Sequence, residues 1–272
     1  MTLTATAPVA RTATPIDPTE ALRRERAEML SFLGGLDAAD WKAPSAAEGW
    51  RVQDVVAHLG ASVHALFTPT SFKLLNSAKI ERTNDELVDR RRGWSYWRVA
   101  AEYETWSARA AWLSGLTQHR PLANVPMRLA EHGKYPGRLL VGGALTFDHH
   151  IHLRHDLAPA LGRPVPGTDD LRMRVVLTWM FATLGNEQGL RPVAGFDRPI
   201  AFVLEGPGGG AWRVDPDGTV TEGTTAGAVA TVEGAALDFP VWGTRREHWR
   251  DGDVVVGGDL ERAAVVLDAI NL

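Results

Sequence analysis

The 272-residue sequence predicts a four-helix bundle followed by a smaller α+β domain. Three observations carry that expectation. Apolar residues recur at helical spacing in four long segments that end near Ala158. A breaker-rich stretch follows, with Pro159, Gly162, Pro164, Pro166 and Gly167. Beyond it come short β-rich runs separated by turn residues, with helical segments at either end. The implied organisation is a small-residue tail over 1–15, a helical bundle over 16–165 and an α+β domain over 168–272.

The first helix opens at Thr19-Glu20-Ala21-Leu22 with a capping residue, buries Leu22, Met29, Leu30, Leu33 and Leu36, and stops at Gly34-Gly35. A loop through Trp41, Pro44 and Ser45 to Gly49-Trp50 leads to a second helix, Val52 to Phe67, with the apolar stripe Val52, Val55, Leu59, Val63 and Leu66. Phe72, Leu74, Leu75 and Ile80 suggest a short helix before Asn84-Asp85-Glu86-Leu87-Val88. A third long helix spans Tyr96 to Leu116 through Val99, Tyr103, Trp106, Ala110 and Leu113. Pro121, Pro126, Gly133, Pro136 and Gly137 then mark a loop, and the fourth helix runs from Arg138 to Ala158. In the second region Leu171 to Leu184 is helical, as is Glu261 to Ile270. Between them Ile200 to Leu204, Trp212 to Val214, Ala228 to Glu233 and Asp253 to Val256 read as strands. Gly206-Pro207-Gly208-Gly209-Gly210 is a hairpin loop rather than a phosphate cradle, because no Lys-Ser/Thr follows it.

Composition narrows the function. A net charge of -4, with no basic stripe interleaved with aromatics, argues against nucleic acid as a partner. Arg90-Arg91-Arg92 reads as a solvated turn. No apolar run reaches the ~18 residues of a membrane span, and no signal peptide is evident, so the expectation is a cytoplasmic protein without a membrane partner. The chain has no cysteine, which excludes disulfides, cysteine-ligated zinc and a protein thiol nucleophile. Any thiol chemistry must draw on a cofactor.

The segment Asp148-His149-His150-Ile151-His152-Leu153-Arg154-His155-Asp156 carries the strongest chemical signal. Val141, Leu145, Asp148, His152 and His155 follow one another at spacings of four, three, four and three, so a helical stripe that begins apolar turns into carboxylate and imidazole. Such groups need partners when buried, and a divalent metal satisfies an aspartate and a histidine one turn apart. With His58 on the second helix they form a candidate zinc site of His58, Asp148 and His152, with His155 as rival ligand or supporting neighbour. His149 and His150 point elsewhere and read as surface or interhelix residues, and Asp156 as the partner of an arginine or a helix end. The tryptophans are core and interface anchors, with Trp50 and Trp242 able to line a cleft.

Several stretches together resemble the mycothiol-dependent maleylpyruvate isomerase family. They are Trp41…Pro44-Ser45…Glu48-Gly49-Trp50-Arg51-Val52…Asp54-Val55-Val56-Ala57-His58-Leu59, then Asn84-Asp85-Glu86…Val88…Arg90-Arg91-Arg92, then Asp148…His152…Asp156-Leu157…Leu161-Gly162. In the second region Ala230-Thr231-Val232-Glu233-Gly234…Trp242-Gly243…Arg245-Arg246 and Val255…Gly257-Gly258-Asp259-Leu260 continue the likeness. The resemblance implies a DinB-like metal-binding bundle followed by a C-terminal sterol-carrier-protein-like α+β domain. It implies metal ligands at His58, Asp148 and His152, with aspartate where the family typically has glutamate, and a catalytic arginine at Arg245 or Arg246. It implies zinc and mycothiol as cofactors, and a cis–trans isomerase or S-transferase acting on a small electrophilic substrate such as maleylpyruvate. Two other readings of the same bundle are a non-catalytic metal, thiol or small-molecule binding (resistance) protein and a metal-dependent hydrolase using zinc-bound water.

Overall fold

The computed structural model describes residues 16–272, so the expected tail over 1–15 lies outside the described residues. Asp17 opens α1 (Pro18–Gly34) by accepting hydrogen bonds from the backbone N–H groups of Thr19 and Glu20. The cap is therefore Asp17 and not Thr19, whose hydroxyl bonds Ser114 at 3.0 Å. Helices α2 (Val52–Ala65), α3 (Thr70–Leu75), α4 (Ile80–Asp89) and α5 (Tyr96–Thr117) follow. A small hairpin of β1 (Pro126–Arg128) and β2 (Lys134–Pro136) occupies the loop that breaker residues had marked as irregular.

The fourth bundle helix, over 137–157, is composite. It begins as α6 (Gly137–Leu139), widens into a π-helical stretch at Leu140–Ala144, continues as α7 (Leu145–Ile151) and widens again at His152–Leu157. Gly142 permits the first wide turn to lie against α1, since a Cβ there would meet Pro18 Cβ at 2.4 Å and the Ser114 hydroxyl at 2.7 Å. With α1, α2 and α5 this helix encloses a core that includes Met29, Trp41, Val55, Leu59, Tyr103 and Leu153. Among the described residues no helix is long and apolar enough to cross a membrane.

The C-terminal region is built on α8 (Asp170–Leu184), which lies across a five-stranded sheet. Strands β3 (Ile200–Glu205), β4 (Gly210–Val214), β5 (Val220–Glu222), β6 (Ala230–Ala235) and β7 (Val255–Gly258) stand in the order β5-β4-β3-β6-β7. The β3–β6 pair is parallel and the others antiparallel. The glycine run joins β3 to β4 as expected of a hairpin loop, and Gly208, at φ +66°, approaches the Arg174 backbone so closely that a Cβ would sit 2.4 Å from its nitrogen. Phe181 on α8 stacks on Trp212 at 4.4 Å and meets Phe202 edge-on at 5.4 Å, which seats the helix on the sheet. After β6 the chain turns through α9 (Phe239–Gly243) and ends with α10 (Leu260–Ala269).

Two polar expectations are corrected here. Arg90-Arg91-Arg92 is not simply a solvated turn, because Arg91 forks onto Glu102 of α5 at 2.6 and 2.7 Å and also donates to the Leu87 carbonyl. His149 and His150 are both fully buried and neither is a surface residue. His149 donates through Nδ1 to the Leu145 carbonyl, and His150 donates to Glu25 on α1.

Glu25 is the hub between the bundle and α8. Its carboxylate accepts Arg154 Nη1 at 2.7 Å, and Arg154 and Arg172 both donate to the Gly167 carbonyl in the connecting segment. Burial by itself would raise the Glu25 pKa, but His150 and Arg154 hold it below the ordinary glutamate value. Replacing Glu25 by Ala strands a buried guanidinium, so equilibrium urea unfolding is expected to show a loss of about 3–5 kcal/mol. Wild-type stability in that variant would show the network to be dispensable.

Candidate metal centre

Helix α2 buries nearly its whole circumference, and His58 sits on it one residue before Leu59 of the bundle core. The ring leans against Trp50, with centroids 5.2 Å apart, and so faces the composite helix rather than solvent. There α7 presents Asp148, and one turn later His152 opens the second π stretch. Asp148 Oδ1 lies 3.5 Å from His58 Nε2 and 3.4 Å from His152 Nε2, and one ligand atom from each of the three residues falls within 4.8 Å of the others. Bonds of about 2.0–2.2 Å at tetrahedral angles place ligand atoms roughly 3.3–3.5 Å apart, so this triad has the span of three corners around one ion. The aspartate, one methylene shorter than the family's usual glutamate, reaches both imidazoles from α7.

The electrostatics favour a charged site. Burial would raise the Asp148 pKa, yet the two imidazoles hold it well below the ordinary aspartate value. For His152 burial acts downward, and hydrogen bonding to Asp148 and Asp156 outweighs it, lifting the imidazole to about 9. These groups are arranged to attract positive charge to one point, which a divalent cation would supply more fully than a proton.

His152 is held from behind. Its Nδ1 donates to Asp156 Oδ2 at 2.6 Å, leaving Nε2 to face Asp148 and His58, which is the carboxylate–histidine arrangement that fixes a metal-binding tautomer. Asp156 in turn accepts Arg246 Nε at 3.1 Å and Nη2 at 2.7 Å from the segment after α9. Burial opposes ionisation of Asp156, but His152 and Arg246 bring its pKa down to about 2. Asp156 does partner an arginine, as the sequence suggested. Its bond to His152 was missed, although the separation of four residues repeats that of Asp148 and His152.

His155 takes no part in the triad. The π stretch closes with Ala158 N–H donating to the Leu153 carbonyl, five residues back, and the wider turn rotates the helix between His152 and His155. The His155 ring lies 6.2 Å from that of His150, and burial lowers its pKa to about 4. The two candidate arginines also separate. Arg246 lines the cavity above the triad, whereas Arg245, at φ +56°, turns away to donate to the carbonyls of Asp268 and Ile270 at the end of α10.

The triad lies in the wall of a cavity of about 680 Å³. Its lining includes the apolar residues Leu140, Val141, Leu145, Phe147 and Trp179. It also includes Trp50, Ser62 and Asn84, with Thr244 and Arg246 arriving from the C-terminal region. Trp50 also donates through Nε1 to Asp85 at 3.2 Å, which pins the indole over His58. Trp242, the second tryptophan suggested for a cleft, is buried beside Phe239 at 4.5 Å and does not line the cavity.

Residues 22–152 match the family model described as the mycothiol maleylpyruvate isomerase N-terminal domain. No curated protein matches the chain. Two solved structures share its fold, the mycothiol-dependent maleylpyruvate isomerase and a histidine-to-alanine variant of it. Their TM-scores are 0.56 and 0.55, each at 16% identity, covering 89% of this chain and 93% of theirs. The composite helix with Asp148 and His152 thus closes a matched region that opens within α1 and takes in His58, so that residues 22–152 are the part of the chain similar to the mycothiol maleylpyruvate isomerase N-terminal domain, while the chain as a whole shares the two-part fold of the isomerase.

Proposed function

We propose that the protein is a zinc- and mycothiol-dependent enzyme that isomerises, or conjugates to the thiol, a small activated alkene. The observation that carries this reading is the triad of His58, Asp148 and His152 opening onto a cavity that could hold both a thiol cofactor and a second molecule. Three protein ligands leave one tetrahedral position free, as catalytic zinc sites do. When bound there, zinc and mycothiol would supply a stabilised thiolate nucleophile, which the cysteine-free chain cannot provide.

The chain's own residues have separable tasks in this reading. His58, Asp148 and His152 hold the metal, and Asp148 offsets one unit of its charge. Asp156 keeps the His152 proton on Nδ1, so that Nε2 remains a lone-pair donor. Arg246 holds Asp156 ionised and in place, making it a positioning residue contributed by the C-terminal region. Trp50, Phe147 and Trp179 restrict water around the reacting groups. A hydrolase reading would put water at the open position. The family match favours the thiol.

Metal analysis of purified protein is expected to give about one zinc per chain, with His58→Ala and His152→Ala each losing it while keeping their helical circular dichroism. Full metal content in both variants would refute the triad. Loaded wild-type protein should convert an activated cis-alkene to its trans isomer, or consume mycothiol in forming a conjugate. Neither outcome across a panel of activated alkenes would exclude the proposed chemistry.

The relay is tested by chelator competition. Asp156→Asn should weaken zinc binding by about 10–100-fold, the range for partners that orient a metal-bound histidine. Arg246→Ala should weaken it less, and Arg245→Ala not at all, since Arg245 bonds only backbone carbonyls at the α10 terminus. A larger loss for Arg245→Ala than for Arg246→Ala would reverse this assignment.

A further inference from the structure

The charge inventory of the cavity narrows the substrate class. Among the described lining residues Arg246 is the single guanidinium, and there is no lysine. That guanidinium is already matched: Nε and Nη2 bond the ionised Asp156, and Nη1 donates to the Thr244 hydroxyl at 2.8 Å. Outside the triad, the remaining formal charges on the lining side chains are negative. Glu48, Glu81 and Asp85 stand exposed at the edge, and none of the three has an ion-pair partner among the described residues. An approaching carboxylate meets like charge there, and inside it meets a neutralised pair. The triad offers no surplus either. A divalent ion beside Asp148 keeps one net positive charge, which a bound thiolate cancels.

What the interior does present is neutral. Asn84 is a buried residue that lines the cavity, and its side chain makes no hydrogen bond with any described residue. Ser62 on α2 also lines it with its hydroxyl unbonded among the described residues. An amide that lines a cavity with both its donor and its acceptor free of protein partners is available to a neutral polar ligand. The same lining includes Leu140, Leu145, Phe147 and Trp179, apolar surface that rewards a hydrocarbon body.

We infer that the electrophile taken by this cavity is an uncharged molecule with an apolar body, such as an ester, amide or ketone conjugated to a double bond, read by Asn84 and Ser62 rather than by a cation, and that dicarboxylates are disfavoured. This rests on the thiol-dependent reading above for the word electrophile, while the charge preference stands on the cavity itself.

The matched probes are maleate dianion and its dimethyl ester, titrated slightly above neutral pH into zinc-loaded full-length protein with mycothiol present, so that the open metal position is filled. Binding is read by tryptophan fluorescence, since Trp50 and Trp179 line the cavity. The diester is expected to bind at least ~10-fold more tightly, because a carboxylate would be desolvated without a partner. Asn84→Arg should narrow or reverse that order. Asp85→Arg at the exposed edge should shift it in the same direction, and serves if the buried change disturbs folding. Equal or tighter binding of maleate by wild-type protein would overturn the inference. Mycothiol consumption, followed separately, keeps the two claims apart. Isomerisation of tightly bound maleate would sink the charge preference and leave the thiol reading intact. Absence of thiol chemistry with either probe would sink the thiol reading, while the affinity order still decides the preference.

Discussion

The carboxylate of Asp156 accepts hydrogen bonds from both sides, and the candidate site depends on it. On one side it accepts His152 Nδ1 and on the other Arg246 Nε and Nη2. A buried carboxylate carrying a full charge needs such partners, because an unpaired one would be protonated or expelled. Removing either neighbour alters the other: without Arg246 the aspartate is a weaker acceptor, and without the aspartate the imidazole is free to choose its tautomer and to rotate. The bundle and the C-terminal region are therefore joined electrostatically at the candidate site. This gives a sheet-based domain a reason to accompany a helical bundle that already holds all three residues of the triad.

Glu25 performs a related task about the same helix. It ties His150 and Arg154 to α1, so the residues on either side of His152 are held from behind while His152 itself faces the cavity. Opposite faces of one short segment are thus fixed by two independent carboxylates. Rigidity of that kind limits the rotational freedom of a ligand histidine more than helix propensity could.

Much of this was legible in the sequence. The stripe from Val141 to His152 located Asp148 and His152 on one face, and the apolar pattern around His58 placed it on a facing helix, because both signals follow from 3.6-residue periodicity. The strands around Phe202, Trp212 and Val232 were marked by β-branched and aromatic runs between turns. What escaped were features that depend on long-range pairing or departures from regular periodicity. The β1–β2 hairpin is three residues long on each side and contains two prolines, so nothing local distinguishes it from a loop. Arg91 belonged to a run of like charges that reads as solvated, and only the fold brings Glu102 beneath it. His155 was placed on the stripe by assuming a regular α-helix, and the π turn removed it. The two arginines after Trp242 were indistinguishable as neighbours, and a left-handed backbone at the first sends them in opposite directions.

The π stretch at His152–Leu157 has an evolutionary corollary. An i→i+5 turn accommodates one more residue than an i→i+4 turn between the same flanking positions. Losing a single codon after His152 would therefore let the helix relax to regular α geometry without disturbing its ends, and would place Asp156 three rather than four residues after the imidazole it now bonds. The contact between His152 and Asp156 is thus tied to the register of this stretch as well as to the identity of the two residues.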